Sequence, residues 1–225
     1  MAATIRMTSG RSIARVHVVA VDGFGAEMAA RLALLQPGGA TVTSGGAKDL
    51  DRPAQEAGMM VVAAARPIAH LCDTLDDLSF ERGNPWMPVV HEEGGVTLGP
   101  LVVPGWGPCY GCYGRRVAQH AVDADIAQIL ADFYRVESNA GPAGFFPPAA
   151  VLAAAMTAEI VVRLEDPQSR EVGQVRKLNL LGWETGTGRV VGIHGCRRCG
   201  QGRDESLRTI EALSSWIVPV SGVEP

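Results

Sequence analysis

The chain is poor in aromatic residues, which make up 5% of its 225 positions, and it has no basic excess: 20 Lys and Arg stand against 24 Asp and Glu, a formal net charge of −4. Such a chain has no surplus of positive charge to set against a phosphate backbone, which argues against nucleic-acid binding. No uninterrupted apolar run approaches the roughly 20 residues of a membrane-crossing helix. The first twenty residues scatter Arg6, Arg11 and Arg15 among Thr, Ser and Gly, where a secretory signal would have an apolar stretch. Together these absences predict a cytoplasmic protein with no membrane span. The chain has much of two other things. Hydrophobic residues reach 47%, enough to fill a core without disulfide staples. The 27 Gly and 14 Pro predict many turns and close packing of small side chains.

Cysteine is scarce but patterned. Four of the five form two Cys-x-x-Cys pairs, Cys109/Cys112 and Cys196/Cys199. Two such knuckles can close one tetrahedral site in which four thiolates hold zinc at about 2.3 Å, leaving no open position for a reactive water. The expected role is therefore structural. Gly105, Gly107 and Pro108 before the first pair, Gly111 within it, and Gly195 and Gly200 around the second suit tight turns. Arg115, Arg116, Arg197 and Arg198 lie close enough in sequence to offset the site's negative charge. The competing reading is a pair of redox-active dithiols. Cys72, within Ala-His-Leu-Cys-Asp, reads as a buried structural thiol.

Hydrophobic patterning predicts an α/β domain with a mainly parallel sheet. Residues 15–21 read as a buried strand, followed by the turn Asp22-Gly23-Phe24-Gly25 and an Ala/Leu helix to Leu35 that stops at Pro37-Gly38-Gly39. Strands are expected at 40–43, 59–65, 86–91 and 96–103, with a helix over 67–79. A helix capped by Asp123 should present Ile126, Ile129, Leu130 and Phe133 on one face. A second, Ala-rich helix should start at Pro148 or Ala149 and run to about Leu164, with Glu159 and Arg163 paired. Residues 177–191 should form a hairpin turning at Glu184–Gly188 and delivering the chain to the second knuckle, and a short helix is expected near Leu207 to Trp216. The expected organisation is an N-terminal segment (1–14), one α/β domain with the knuckles (15–200) and a tail (201–225). His17 reads as a satisfied core histidine. The aromatics Trp86, Trp106, Tyr110 and Tyr113 should pack the knuckle against the domain, the competing reading being a peptide-contact surface. No arrangement of catalytic residues is visible from spacing.

The run Gly99-Pro100-Leu101-Val102-Val103-Pro104-Gly105 into Cys109-x-x-Cys112 and Arg115-Arg116, then Phe146-Pro147-Pro148, the hairpin and His194-Gly195-Cys196-x-x-Cys199-Gly200, resembles the ThiF-like component of azole and azoline cyclodehydratases. Over residues 13–200 the resemblance implies a Rossmann-like sheet of the MoeB/ThiF type, with Cys109, Cys112, Cys196 and Cys199 as zinc ligands. It also implies a YcaO-type partner that uses ATP to cyclise residues of a ribosomally made precursor peptide, as in bacteriocin biosynthesis. A homodimer would be in keeping with MoeB/ThiF proteins. About 15 residues precede the first strand, too few for the winged-helix module that grips a leader peptide in many members, which leaves two readings: a separate leader-binding protein, or a short paralogue with another task.

The nucleotide turn departs from the adenylating pattern. Gly23 and Gly25 stand where the first two glycines of Gly-x-Gly-x-x-Gly belong, but Met28 replaces the third. Glu27 is expected to bring negative charge to the helix start, against a triphosphate. The sequence thus predicts a degenerate site, no ATP bound by this chain, and a non-catalytic docking subunit that presents the peptide to the YcaO enzyme. Two alternatives stand beside it. An adenylating enzyme acting on a peptide or carrier-protein carboxylate would need phosphate charge from Lys48, Arg52 or Arg66. A nicotinamide oxidoreductase would rest on the partial glycine motif alone.

Overall fold

In a computed structural model, the described residues are 15–200 without 37–39, 45–49, 51–55, 93, 138–139, 142–143 and 167–168. The segment 1–14, the expected tail helix, the helix stop at Pro37 and the positions Lys48, Asp49, Asp51 and Arg52 lie outside them.

Apolar, β-branched runs make the central strands. β1 (Val16–Ala20) and β3 (Met59–Ala64) are buried on both faces, as a parallel sheet covered by helices requires. With β2 (Ala40–Ser44), β4 (Trp86–Glu92), β5 (Gly95–Leu98), β6 (Gln174–Asn179) and β7 (Glu184–Arg189) they form one sheet in the order β2-β1-β3-β4-β5-β6-β7. The first four strands are parallel; β5, β6 and β7 add antiparallel, so the α/β fold expected from the sequence is present with a mixed sheet.

Two helices cover one face. α1 (Gly23–Leu35) and α5 (Pro147–Leu164) meet through Phe24, Met28 and Leu32 on one side and Ala149, Ala150, Ala153 and Ala154 on the other, above Val16, Val18 and Val61. The alanines let the backbones approach, and each large side chain buried there contributes roughly 1.5–3 kcal/mol. By length and composition alone, α5 is a helix long and apolar enough to cross a membrane, yet 44% of its apolar window is buried in this core. α2 (Ala69–Arg82) covers the other face, where Leu71, Cys72 and Leu75 pack on Met60, Val62 and Trp86. α3 (Tyr110–His120) and α4 (Ala124–Val136) complete the described elements.

Several local expectations shift. The strand expected over 96–103 ends at Leu98, because Gly99 adopts φ +96° and the chain turns to let Leu101 donate to the Gln174 carbonyl at 3.1 Å. Val102 then bridges Trp86 alone. The hairpin forms, but its turn is 180–183 and Glu184–Arg189 is strand. Asn179 makes that turn, its Oδ1 accepting from the backbone of Leu181 at 2.9 Å and Gly182 at 3.2 Å. Asp123 precedes α4 but makes no side-chain cap, and the apolar stripe of Ile126, Ile129, Leu130 and Phe133 is exposed. Arg163 and Glu159 pair at 2.7 Å as expected. Arg176 extends this pair into a network, reaching Glu159 at 2.9 Å and the buried Glu171 at 2.7 Å.

Candidate functional site

The two knuckles meet beside α2. The first opens α3: Cys109 is its N-cap, and Cys112 N–H donates to the Cys109 carbonyl at 3.1 Å. The second follows the hairpin, where Gly195 sits at φ +68° and Gly200 N–H donates to the Cys196 carbonyl at 2.8 Å. A Cβ at Gly200 would lie 2.4 Å from that carbonyl oxygen, so the turn admits only glycine there.

All four sulfurs are buried and lie within 4.8 Å of one another. Across the knuckles, Cys109 Sγ stands 3.7 Å from Cys196 Sγ and Cys112 Sγ 3.4 Å from Cys199 Sγ. A disulfide needs about 2.05 Å, whereas sulfurs at about 2.3 Å from one tetrahedral ion are separated by about 3.8 Å. The donor set and its spacing therefore fit zinc. Burial pushes the Cys109 and Cys199 thiols up. Burial acts the same way on Cys196, but backbone N–H donors from Cys199 and Arg198 overcome it and bring that thiol down to about 6. Ile193 N–H lies 3.3 Å from Cys112 Sγ, a further donor toward thiolate charge.

The surrounding residues lock this cluster to the domain. Tyr110 packs on Trp86 at 5.4 Å between ring centroids and on Tyr113 at 5.7 Å, in the packing role expected of these aromatics, while Trp106 is 41% exposed. The arginines divide: Arg198 reaches Asp76 and Asp77 and lies over the Phe80 ring, and Arg116 donates to the Val191 carbonyl at 3.3 Å. Arg115 and Arg197 stay beside Cys109 and Cys196. His194 is exposed next to the second knuckle.

The second candidate site is the crevice at the carboxyl ends of β1 and β3, where an open α/β sheet takes its ligands. Gly23 and Gly25 are there, but a carboxylate already occupies the start of α1. Asp22 Oδ1 accepts from Gly25 N at 3.1 Å, and its Oδ2 accepts from Ala65 N at 2.6 Å. Gly25 answers a packing need, since its Cβ would fall 2.4 Å from the Ala63 carbonyl oxygen. Phe145 lies over Gly23 and stacks edge-on with Phe24 at 5.8 Å. Arg66, one cation considered for phosphate, bonds the Ala140 carbonyl at 2.8 Å and lies 5.9 Å from the Tyr134 ring centroid. The expectation for Glu27 is corrected: it pairs with Arg31 at 2.7 Å on the exposed side of α1, so the negative charge at the helix start belongs to Asp22.

No protein-family model matches the chain, and no curated protein does. Solved structures do. The heterocyclase TruD matches with a TM-score of 0.60 and 20% identity, covering 84% of this chain. A heterocyclase in complex with substrate and cofactor gives 0.57 and 17% over 83% of this chain. MccB of E. coli with AMPCPP and MccA gives 0.57 and 17% over 84%. The chain has the fold of the heterocyclases and MccB. It spans 28% and 25% of the two heterocyclases' lengths and 68% of MccB's. The fold expected from the resemblance is thus the one observed. Of the residues singled out in the sequence, the four knuckle cysteines converge on one point, and Gly23 and Gly25 stand at a helix start where Asp22 takes the Gly25 N–H. Asp22 was missed, although an Asp just ahead of a Gly-rich helix start is a recognisable cap signal.

Proposed function

We propose that residues 15–200 form the ThiF-like docking subunit of a peptide heterocyclase complex, presenting a ribosomally made precursor peptide to a YcaO-type enzyme that performs the ATP chemistry. In this reading Cys109, Cys112, Cys196 and Cys199 hold a structural zinc that fixes the hairpin and α3 to α2, and the chain contributes no catalytic residue. A homodimer is compatible with the assembly.

The observation that carries the reading is Asp22. A triphosphate at the start of α1 would draw on first-turn N–H groups; Gly25 N–H is given to this carboxylate, which Ala65 N–H holds in place and whose negative charge opposes a phosphate there. The fold shared with the heterocyclases supports the context. The adenylating alternative draws on the MccB structure that carries AMPCPP, a nucleotide analogue. It requires a phosphate to settle at the start of α1 beside the Asp22 carboxylate, which holds Gly25 N–H.

Reconstitution tests the proposal. Precursor peptide and YcaO-type enzyme are incubated with ATP, with and without this chain, and loss of water from the peptide is followed by mass spectrometry. The expected result is ring formation that accelerates on adding the chain and is unaffected by Asp22→Asn. An equal rate without the chain would reject the docking role.

A further inference from the structure

β7 reads Glu-Thr-Gly-Thr-Gly-Arg and is an outermost strand of the sheet, paired on one side with β6. Glycine weakens a strand interior and often marks a place where another backbone comes close. Nothing local requires it at Gly186 or Gly188: a Cβ at either would meet no atom within 4 Å, and neither has a left-handed φ. Their register partners, Lys177 and Val175, share their face of the sheet. All four line a groove of about 900 Å³ that α3 closes from the other side. The absent side chains keep the floor of that groove open.

The backbone at the rim is free as well. Val190 N–H donates to the Gly173 carbonyl at 2.8 Å, which sets the alternation: Glu184, Gly186 and Gly188 bond toward β6, while Thr185, Thr187 and Arg189 turn their N–H and C=O groups to the open edge. Among the described residues no strand pairs with that edge. Neither proline nor a charged side chain guards it between Glu184 and Arg189.

Charge narrows the occupant. The groove is lined by Arg116, His120, Lys177 and Arg189 and by no carboxylate. Arg116 donates to the Val191 carbonyl and to Gln119 Oε1, and Arg189 to the carbonyls of Val172 and Arg170. Among the described residues, neither guanidinium is paired with an acid.

We propose that the open edge of β7 and this groove take an extended acidic peptide segment. The segment adds as a strand through the backbone of Thr185 and Thr187 and directs alternate acidic side chains over Gly186 and Gly188, between Arg116 and Lys177. This deepens the docking-subunit reading, on which it rests, by giving the carried peptide a seat and a charge.

The test is fluorescence anisotropy of a labelled peptide alternating Glu and Thr, titrated with the full chain at low salt, with a Lys/Thr peptide as control. Two variants separate the parts of the site. Gly188→Val fills the groove floor while improving strand propensity, and Thr187→Pro removes one outward N–H while sparing the β6 ladder. The expected result is saturable binding of the acidic probe, at least about tenfold weaker binding of the basic one, and a loss of about tenfold or more in each folded variant. Gly188→Val should melt no lower than the wild-type protein. Absence of saturable binding, equal binding of the basic probe, or wild-type affinity in Gly188→Val would overturn the proposal. No YcaO enzyme or ATP is present, so this result is independent of the reconstitution outcome.

Discussion

Arg198 of the second knuckle lies 2.7 Å from Asp76 of α2, whose side chain is 1% exposed. The same carboxylate accepts from the Trp86 indole N–H and the Tyr110 backbone N–H, both at 3.2 Å. One buried acid thus ties the helix, the central strand β4 and both knuckles together. Asp76→Ala leaves those donors without an acceptor and should cost about 3 kcal/mol in denaturant unfolding. A loss below about 1 kcal/mol would show that the tie is dispensable.

Zinc should be part of the fold. Elemental analysis is expected to find one zinc ion per chain, and a strong chelator should lower the melting temperature and release the hairpin from α3. Cys196→Ser should aggregate or melt well below the wild-type protein. Unchanged melting in that variant would refute the structural metal.

Cys72 should be inert where the knuckle thiols are not. Burial is the chief cause pushing it up to about 12, against a hydrogen bond with Tyr110 that lowers it. Alkylation near pH 8, followed by peptide mapping, should leave Cys72 unmodified in the folded protein and label the four knuckle cysteines only after chelation. Labelling of Cys72 ahead of them would contradict the packing of α2.

Stability should fall on mild acidification. His17 sits between Thr41 Oγ1 at 2.8 Å and Thr43 Oγ1 at 2.9 Å, and burial lowers its pKa, with Glu56 opposing. The unfolded chain therefore takes up the proton first, at roughly pH 6.5, and stability is lost from there downward until the folded imidazole also protonates. His91 shifts the same way through burial. Melting temperature should drop between pH 7.5 and 5.5, and His17→Gln should flatten that drop. An identical drop in the variant would acquit His17.

The parts legible in the sequence were those written in contiguous residues. The apolar runs of β1 and β3 admit only a buried strand, and the Cys-x-x-Cys spacing already contains half of each ligand geometry. What escaped depends on partners distant in sequence. β5 stops at Leu98 because Gln174 claims Leu101, and the hairpin turns where Asn179 can bond its own backbone. Glu27 looked like a charge at the helix start, but its spacing to Arg31 carries it to the side. The apolar stripe of α4 was legible as a stripe, and nothing in its spacing disclosed that the described domain leaves it exposed. Asp22 acts through Ala65, 43 positions away.

Titration calorimetry of ATP·Mg into the zinc-loaded protein, run beside an ATP–pyrophosphate exchange assay, tests the central claim most directly. With Asp22 holding the Gly25 and Ala65 amides, the expected result is no heat of binding and no exchange. Micromolar binding accompanied by exchange would mean that the crevice opens and that the chain is itself an adenylating enzyme.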